Sequence, residues 1–203
     1  MSCLQNGHES CYVTLIGMTK MTKGVELLLL KNIPHPFQQN EEQKRILNVG
    51  CGGSTYGTDF IDLYPLRPEV KVCNADKDIF PFPDETFDEV YSSYLFEHLT
   101  NVSHYMTEVW RVLKPHGKIV IITDNAALHG LFGRVHHGRY EEDHADHPDD
   151  RHYALFTPTN LKNFLVKFGF RINEVGYCNG SWRIKLLYKK LSPHVFAVGT
   201  KEI

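Results

Sequence analysis

The residues best suited to chemistry begin with Gly50, Cys51, Gly52 and Gly53, which follow the run Ile46-Leu47-Asn48-Val49. A strand entering a tight glycine turn lets a ligand approach the backbone, because a Cβ there would obstruct it or forbid the required φ. A dinucleotide site would want a further glycine three residues after Gly52; that position is Thr55, which argues against the usual NAD fingerprint. Two carboxylates follow at expected strand ends. Asp62 can accept from both hydroxyls of a ribose, and Asp76, in Asn74-Ala75-Asp76, is placed to accept from an adenine amino group. His98 follows another expected strand. Histidine has the unperturbed pKa nearest neutrality and suits a general base at an acceptor hydroxyl.

A second polar concentration runs from His129 to His152 and holds His136, His137, His144 and His147 among Glu141, Glu142, Asp143, Asp146, Asp149 and Asp150. It has no hydrophobic periodicity, so the stretch at about 126–156 is expected to be a long loop or lid over the acceptor. Arg139, Tyr140, His152 and Tyr153 are its expected acceptor contacts. A metal site needs a defined subset of ligands to converge, and no His-Glu-x-x-His or similar helical spacing occurs here; no metal is expected.

The elements that must hold these residues alternate. Short β-rich runs at 46–49, 60–63, 70–73, 87–92 and 118–123 precede two more at 170–177 and 195–200, and helical patterns lie between them. That order produces a parallel sheet covered by helices. Met106, Val109, Trp110 and Leu113 share one face of a helix expected over 103–114, which Pro115 and Gly117 end. Leu161, Phe164, Leu165 and Phe168 repeat the spacing, with Thr157 as cap, Pro158 in the first turn and Gly169 as stop. Residues 1–44 lack a strong periodic segment and read as an extension, leaving 45–203 as the domain.

The motifs Leu47-Asn48-Val49-Gly50-Cys51-Gly52-Gly53, Pro81-Phe82-Pro83-Asp84-Glu85-Thr86-Phe87-Asp88, Leu95-Phe96-Glu97-His98-Leu99 and Glu108-Val109-Trp110-Arg111-Val112-Leu113-Lys114-Pro115-His116-Gly117-Lys118 resemble the small class I S-adenosylmethionine-dependent methyltransferases of the methyltransferase type 11 group. The resemblance implies a Rossmann-like α/β fold: a seven-stranded sheet in the order 3-2-1-4-5-7-6, the last strand antiparallel, with helices on both faces. It also implies that Gly50, Cys51 and Gly52 approach the methionine part of S-adenosylmethionine, Asp62 the ribose, and Ala75 and Asp76 the adenine. Ser92 and Ser93 would flank the methionine and the reacting methyl. Asn48 stands where the family usually has an acidic residue, and only twelve positions separate Gly50 from Asp62, where about twenty hold a full crossover helix. That helix must be abbreviated. Glu97-His98 resembles the metal pair of some O- and RNA methyltransferases, whose further carboxylate is replaced here by Tyr94.

The expected activity is methylation of an oxygen or nitrogen on a small molecule or saccharide-like metabolite. The rival is a catalytically silent S-adenosylmethionine-binding module with a regulatory or scaffold role. The fourth strand ends in Ser92-Ser93-Tyr94-Leu95 rather than the Asn/Asp-Pro-Pro-aromatic tetrapeptide of nucleobase and glutamine amino-methyltransferases. The formal net charge of −2 over 203 residues gives no global field for nucleic acid. The longest apolar stretches fall far below the roughly 18 residues that span a bilayer. Five cysteines without a Cys-x-x-Cys pair fit a reducing cytoplasm.

Overall fold

The computed structural model describes residues 44–128, 152–178 and 192–203. The expected extension over 1–44, Arg139, Tyr140 and the histidines from His129 to His147 lie outside the described residues, apart from Lys44 itself.

Seven strands, β1 (Ile46–Val49), β2 (Asp59–Asp62), β3 (Val70–Val72), β4 (Phe87–Ser93), β5 (Leu113–Asp124), β6 (Phe170–Cys178) and β7 (His194–Lys201), form one sheet. Their order is β3-β2-β1-β4-β5-β7-β6. The first five are parallel neighbours, and β7 runs antiparallel to both β5 and β6. Order and direction agree with the expected fold. The central strands are covered on both faces, so β1 buries Leu47, Asn48 and Val49, and β5 buries Ile119 to Asp124 without alternation.

Between β1 and β2 the chain makes a turn where a crossover helix is usual. The Asn48 amide donates to the Tyr56 carbonyl at 2.9 Å and to Ser54 Oγ at 3.3 Å, and Thr58 N–H donates to the Ile46 carbonyl at 2.9 Å. Gly57, at φ +121°, lies where a Cβ would sit 3.2 Å from that same carbonyl. The connection therefore folds back onto β1. Tyr56 completes the cover by packing edge-on to Tyr91 and donating its hydroxyl to Glu89 at 2.5 Å.

Helix α1 (Val102–Val112) starts at Asn101, whose side chain accepts from the His104 N–H. It ends earlier than its hydrophobic spacing suggests, because Leu113 is already extended (φ −74°, ψ 133°) and pairs with Phe87. Pro115 has no N–H for a helical ladder and His116 takes φ +63°, so β5 opens with an irregular stretch before settling into register at Lys118. Lys201, at the end of β7, donates to the Trp110 and Leu113 carbonyls at 2.8 and 2.7 Å, satisfying orphan acceptors at the helix end.

Helix α2 (Pro158–Lys167) carries a full capping box between Thr157 and Asn160, has Pro158 in its first turn, and is followed by Gly169 at φ +84°. A Cβ on Gly169 would lie 3.0 Å from the Trp110 ring. Both helices pack into one aromatic core, in which Phe96 contacts Tyr105, Phe156 and Phe164. No helix among the described residues is long and apolar enough to cross a membrane, which says nothing of membrane-spanning strands.

Candidate functional site

The carboxyl ends of β1 and β2 meet at the glycine loop. Gly50 N–H donates to the Ile61 carbonyl at 2.9 Å, and Gly52 N–H donates to Asp62 Oδ2 at 2.8 Å. The other Asp62 oxygen accepts from the Tyr64 N–H at 2.8 Å. Asp62 thus shapes the loop as well as standing beside it. An ionised carboxylate offers about four lone-pair sites, so two backbone donors leave capacity for a ribose diol.

The glycines divide by role. Gly50 is glycine because φ is +66° and because a Cβ would meet Leu95 Cδ1 at 2.9 Å. Gly52, at φ +49°, and Gly53 have nothing among the described residues within 4 Å of the Cβ each lacks. Cys51 is buried, and that burial, helped by the charge of Asp62, pushes its thiol up to about 11. Cys51 is therefore a neutral, packed side chain that lends the loop its backbone.

Two of the expected cofactor contacts already have partners within the protein. Asp76 is already occupied: its carboxylate accepts from the Thr100 N–H, the Thr100 hydroxyl and the Asn101 N–H, all at 2.8 to 3.0 Å. It ties the chain after β3 to the start of α1, and an adenine amino group would have to share those oxygens. Ser92 is fully buried, and its hydroxyl accepts from Tyr105 Oη at 2.9 Å. Strand alternation is the reason, since Ser93 is the neighbour that projects the other way and is half-buried at the strand end. Ala75 is buried at the turn that Asp76 holds.

Beyond β4 the chain reverses through Tyr94 at φ +58°, an uncommon conformation for a bulky side chain. It then enters a short 3-10 turn, Phe96–His98. This brings Glu97 and His98 to the carboxyl ends of β4 and β5, where a polar cluster assembles. Glu97 is 1% exposed and accepts from the Thr123 hydroxyl at 2.6 Å. Burial, and next the charge of Asp124, push its carboxyl up to about 8, so it holds a proton at neutral pH.

His152 joins from the far side of the long connection. The Tyr153 and Ala154 N–H groups donate to the Glu97 carbonyl at 2.8 and 3.3 Å, which sets the His152 ring edge-on to His98 with centroids 4.5 Å apart. Asp124 Oδ2 lies 3.3 Å from His152 Nδ1, and Oδ1 lies 3.6 Å from His194 Nε2. Tyr94 packs edge-on to His194, hydroxyl to Nδ1 at 3.4 Å.

His98 and His152, expected separately as base and acceptor contact, are thus neighbours. Tyr153 is half exposed and borders an open groove of about 530 Å³, lined chiefly by Leu99, Val102, Leu155, Phe156 and Phe164. Thr123, Asp124 and His194 stand in no local motif. Thr123 and Asp124 carry one linear signal, the polar Thr123-Asp124-Asn125 closing an apolar strand, at the strand end where ligands gather in such sheets; His194 carries none.

Comparison with known proteins comes to the same fold. A family model described as a methyltransferase domain matches residues 21–175. A demethylmenaquinone methyltransferase of Deinococcus radiodurans is 29% identical over 100 residues, covering 47% of this chain and 42% of that protein. The sterol 4-C-methyltransferase strm-1 of Caenorhabditis elegans is 30% identical over 138 residues, covering 57% and 38%. The matches thus span about two fifths of the length of these relatives. The crystal structure of an S-adenosylmethionine-dependent methyltransferase from Mesorhizobium loti superposes with a TM-score of 0.57 at 19% identity, covering 78% of this chain and 91% of that one. At that identity the likeness is one of fold.

Proposed function

The chain belongs to the methyltransferase domain family, and from that membership we propose that it binds S-adenosylmethionine at the glycine loop and transfers its methyl group to a small molecule. The observation that carries the reading is the combination at the loop: open backbone at Gly52 and Gly53 beside a strand-end carboxylate, Asp62, with unused acceptor capacity. The relatives act on a demethylmenaquinone and a sterol by their names, which supports a small-molecule acceptor.

S-adenosylmethionine supplies an electrophilic methyl on a sulfonium. Displacement is in line, so alignment of acceptor and donor carries much of the rate. The Gly52-Gly53 backbone and Asp62 hold the donor; Ser93, at the end of β4, stands on the path to the acceptor. Glu97, His98 and His152 form the polar end of the acceptor space, and the groove bordered by Tyr153 and Leu155 receives its apolar part. A group that loses a proton as it is methylated, a hydroxyl or an amine, matches that polar end, which favours oxygen or nitrogen as the acceptor atom. A second reading, methylation at carbon, is favoured by the name of the nematode relative.

Incubation of the full chain with a methyl-labelled donor and pools of hydroxylated, amino and quinol metabolites tests this. The expected result is release of S-adenosylhomocysteine with label recovered on oxygen or nitrogen. Label on carbon establishes the second reading, and donor binding without turnover across the pools would favour a silent binding module.

A further inference from the structure

We propose that Glu97, His98 and His152 form a binding site for one divalent transition-metal cation. Each offers a ligand atom, and the three atoms lie within 4.8 Å of one another. Tetrahedral ligands about 2.0–2.2 Å from a metal stand roughly 3.4 Å apart, so modest rotation of two half-buried imidazoles closes the site. Two imidazole nitrogens and one carboxylate suit zinc, manganese, iron or cobalt better than calcium or magnesium, and leave coordination positions open.

The neighbours of the three residues are those a metal site uses. Thr123 donates to Glu97 Oε2, which leaves Oε1 for the cation. Asp124 Oδ2 lies 3.3 Å from His152 Nδ1, within reach of the carboxylate–histidine pairing that metal sites use. The Tyr153 and Ala154 N–H bonds to the Glu97 carbonyl fix the segment that brings the third ligand.

The role of the cation rests on the methyltransferase reading, while its binding does not. At the carboxyl ends of β4 and β5 an open coordination position would hold the acceptor oxygen. The acceptor O–H then loses its proton to solvent, the O–CH₃ bond forms as the S–CH₃ bond breaks, and the sulfonium leaves as the neutral thioether S-adenosylhomocysteine. This assigns hydroxylated acceptors, and makes His98 a ligand rather than the base that takes the proton.

The test is titration of the chelator-treated full chain with Co(II), followed by its visible ligand-field absorption, and displacement by Zn(II). The expected result is one saturable equivalent. His98→Gln and His152→Ala should each weaken binding at least about tenfold with unchanged circular dichroism, while a His144→Ala/His147→Ala double variant keeps it. No saturable binding, or affinity unchanged in both the His98 and His152 variants, overturns the proposal. Titration of the same metal-free protein with S-adenosylhomocysteine separates the two ideas: silence there with Co(II) bound removes the methyltransferase reading and leaves the metal site, and the converse removes only the metal site.

Discussion

At the scale of single residues, glycines that look alike in the sequence do different work. Gly50→Ala forces a left-handed φ on alanine and drives a Cβ against Leu95, so it should cost about 1–3 kcal/mol of stability in thermal or denaturant unfolding. Gly53→Ala meets nothing among the described residues; its stability should stay within about 0.5 kcal/mol of the parent, while affinity for S-adenosylhomocysteine falls. Loss of stability without loss of binding in Gly53→Ala would place the ligand elsewhere. Asp62→Ala should weaken that affinity by about 1.5–3 kcal/mol, the range for hydrogen bonds to a charged group, in a calorimetric titration. Cys51, its thiol held up near 11 by burial and by Asp62, should resist alkylation at pH 8 until the chain is unfolded, as mass spectrometry of the labelled peptides would read. The positions of the glycine turn and of Asp62 at strand ends were legible because each closes an apolar run. Ser92 and Ser93 were not separable, since strand alternation, invisible in a pair of identical residues, sends one to the core.

At the scale of elements, the loop after β3 is tied to α1 through Glu108 and Arg111. Glu108 accepts from the Phe80 N–H at 2.8 Å and from Arg111, whose guanidinium also donates to the Phe80 and Phe82 carbonyls and to Asp84. Burial alone would raise the Glu108 carboxyl, but the Arg111 hydrogen bonds, the Phe80 N–H and the Arg111 charge outweigh it and hold it below its ordinary value. A depressed carboxylate lends stability that is present above the unfolded value of about 4.3 and is lost as pH falls through the folded one. Glu108→Gln should therefore lower stability at pH 7 and flatten its decline in acid, checked by unfolding curves from pH 7 to 3. Lys201→Ala should cost about 1.5–3 kcal/mol by stripping the charged donor from the Trp110 and Leu113 carbonyls. Helix α2 follows its sequence closely because Thr157, Pro158, Asn160 and Gly169 each carry a local instruction. Helix α1 runs shorter than its apolar stripe because Leu113 satisfies both a helix face and a strand pairing with Phe87, and the pairing prevails.

At the scale of the whole molecule, the strand order could be read through resemblance, since Asn48 to Gly53 and Pro81 to Lys118 lie in continuous stretches. The cluster at the other side of the site could not. Glu97, Asp124, His152 and His194 come from separate segments, and they meet only because β4 and β5 are neighbours, β7 inserts beside β5, and backbone bonds from Tyr153 and Ala154 return the chain to Glu97. On the proposed function the sheet would divide the labour: the ends of β1 and β2 would present backbone and one carboxylate to a donor, and the ends of β4 and β5 titratable groups to an acceptor. That division depends on which cofactor the glycine loop holds. Calorimetric titration of the full chain with S-adenosylhomocysteine and, separately, with NAD measures it directly. Single-site binding of S-adenosylhomocysteine, weakened in Gly53→Ala and Asp62→Ala and absent for NAD, is the predicted result; binding of NAD alone, or S-adenosylhomocysteine affinity unchanged by both substitutions, would contradict it.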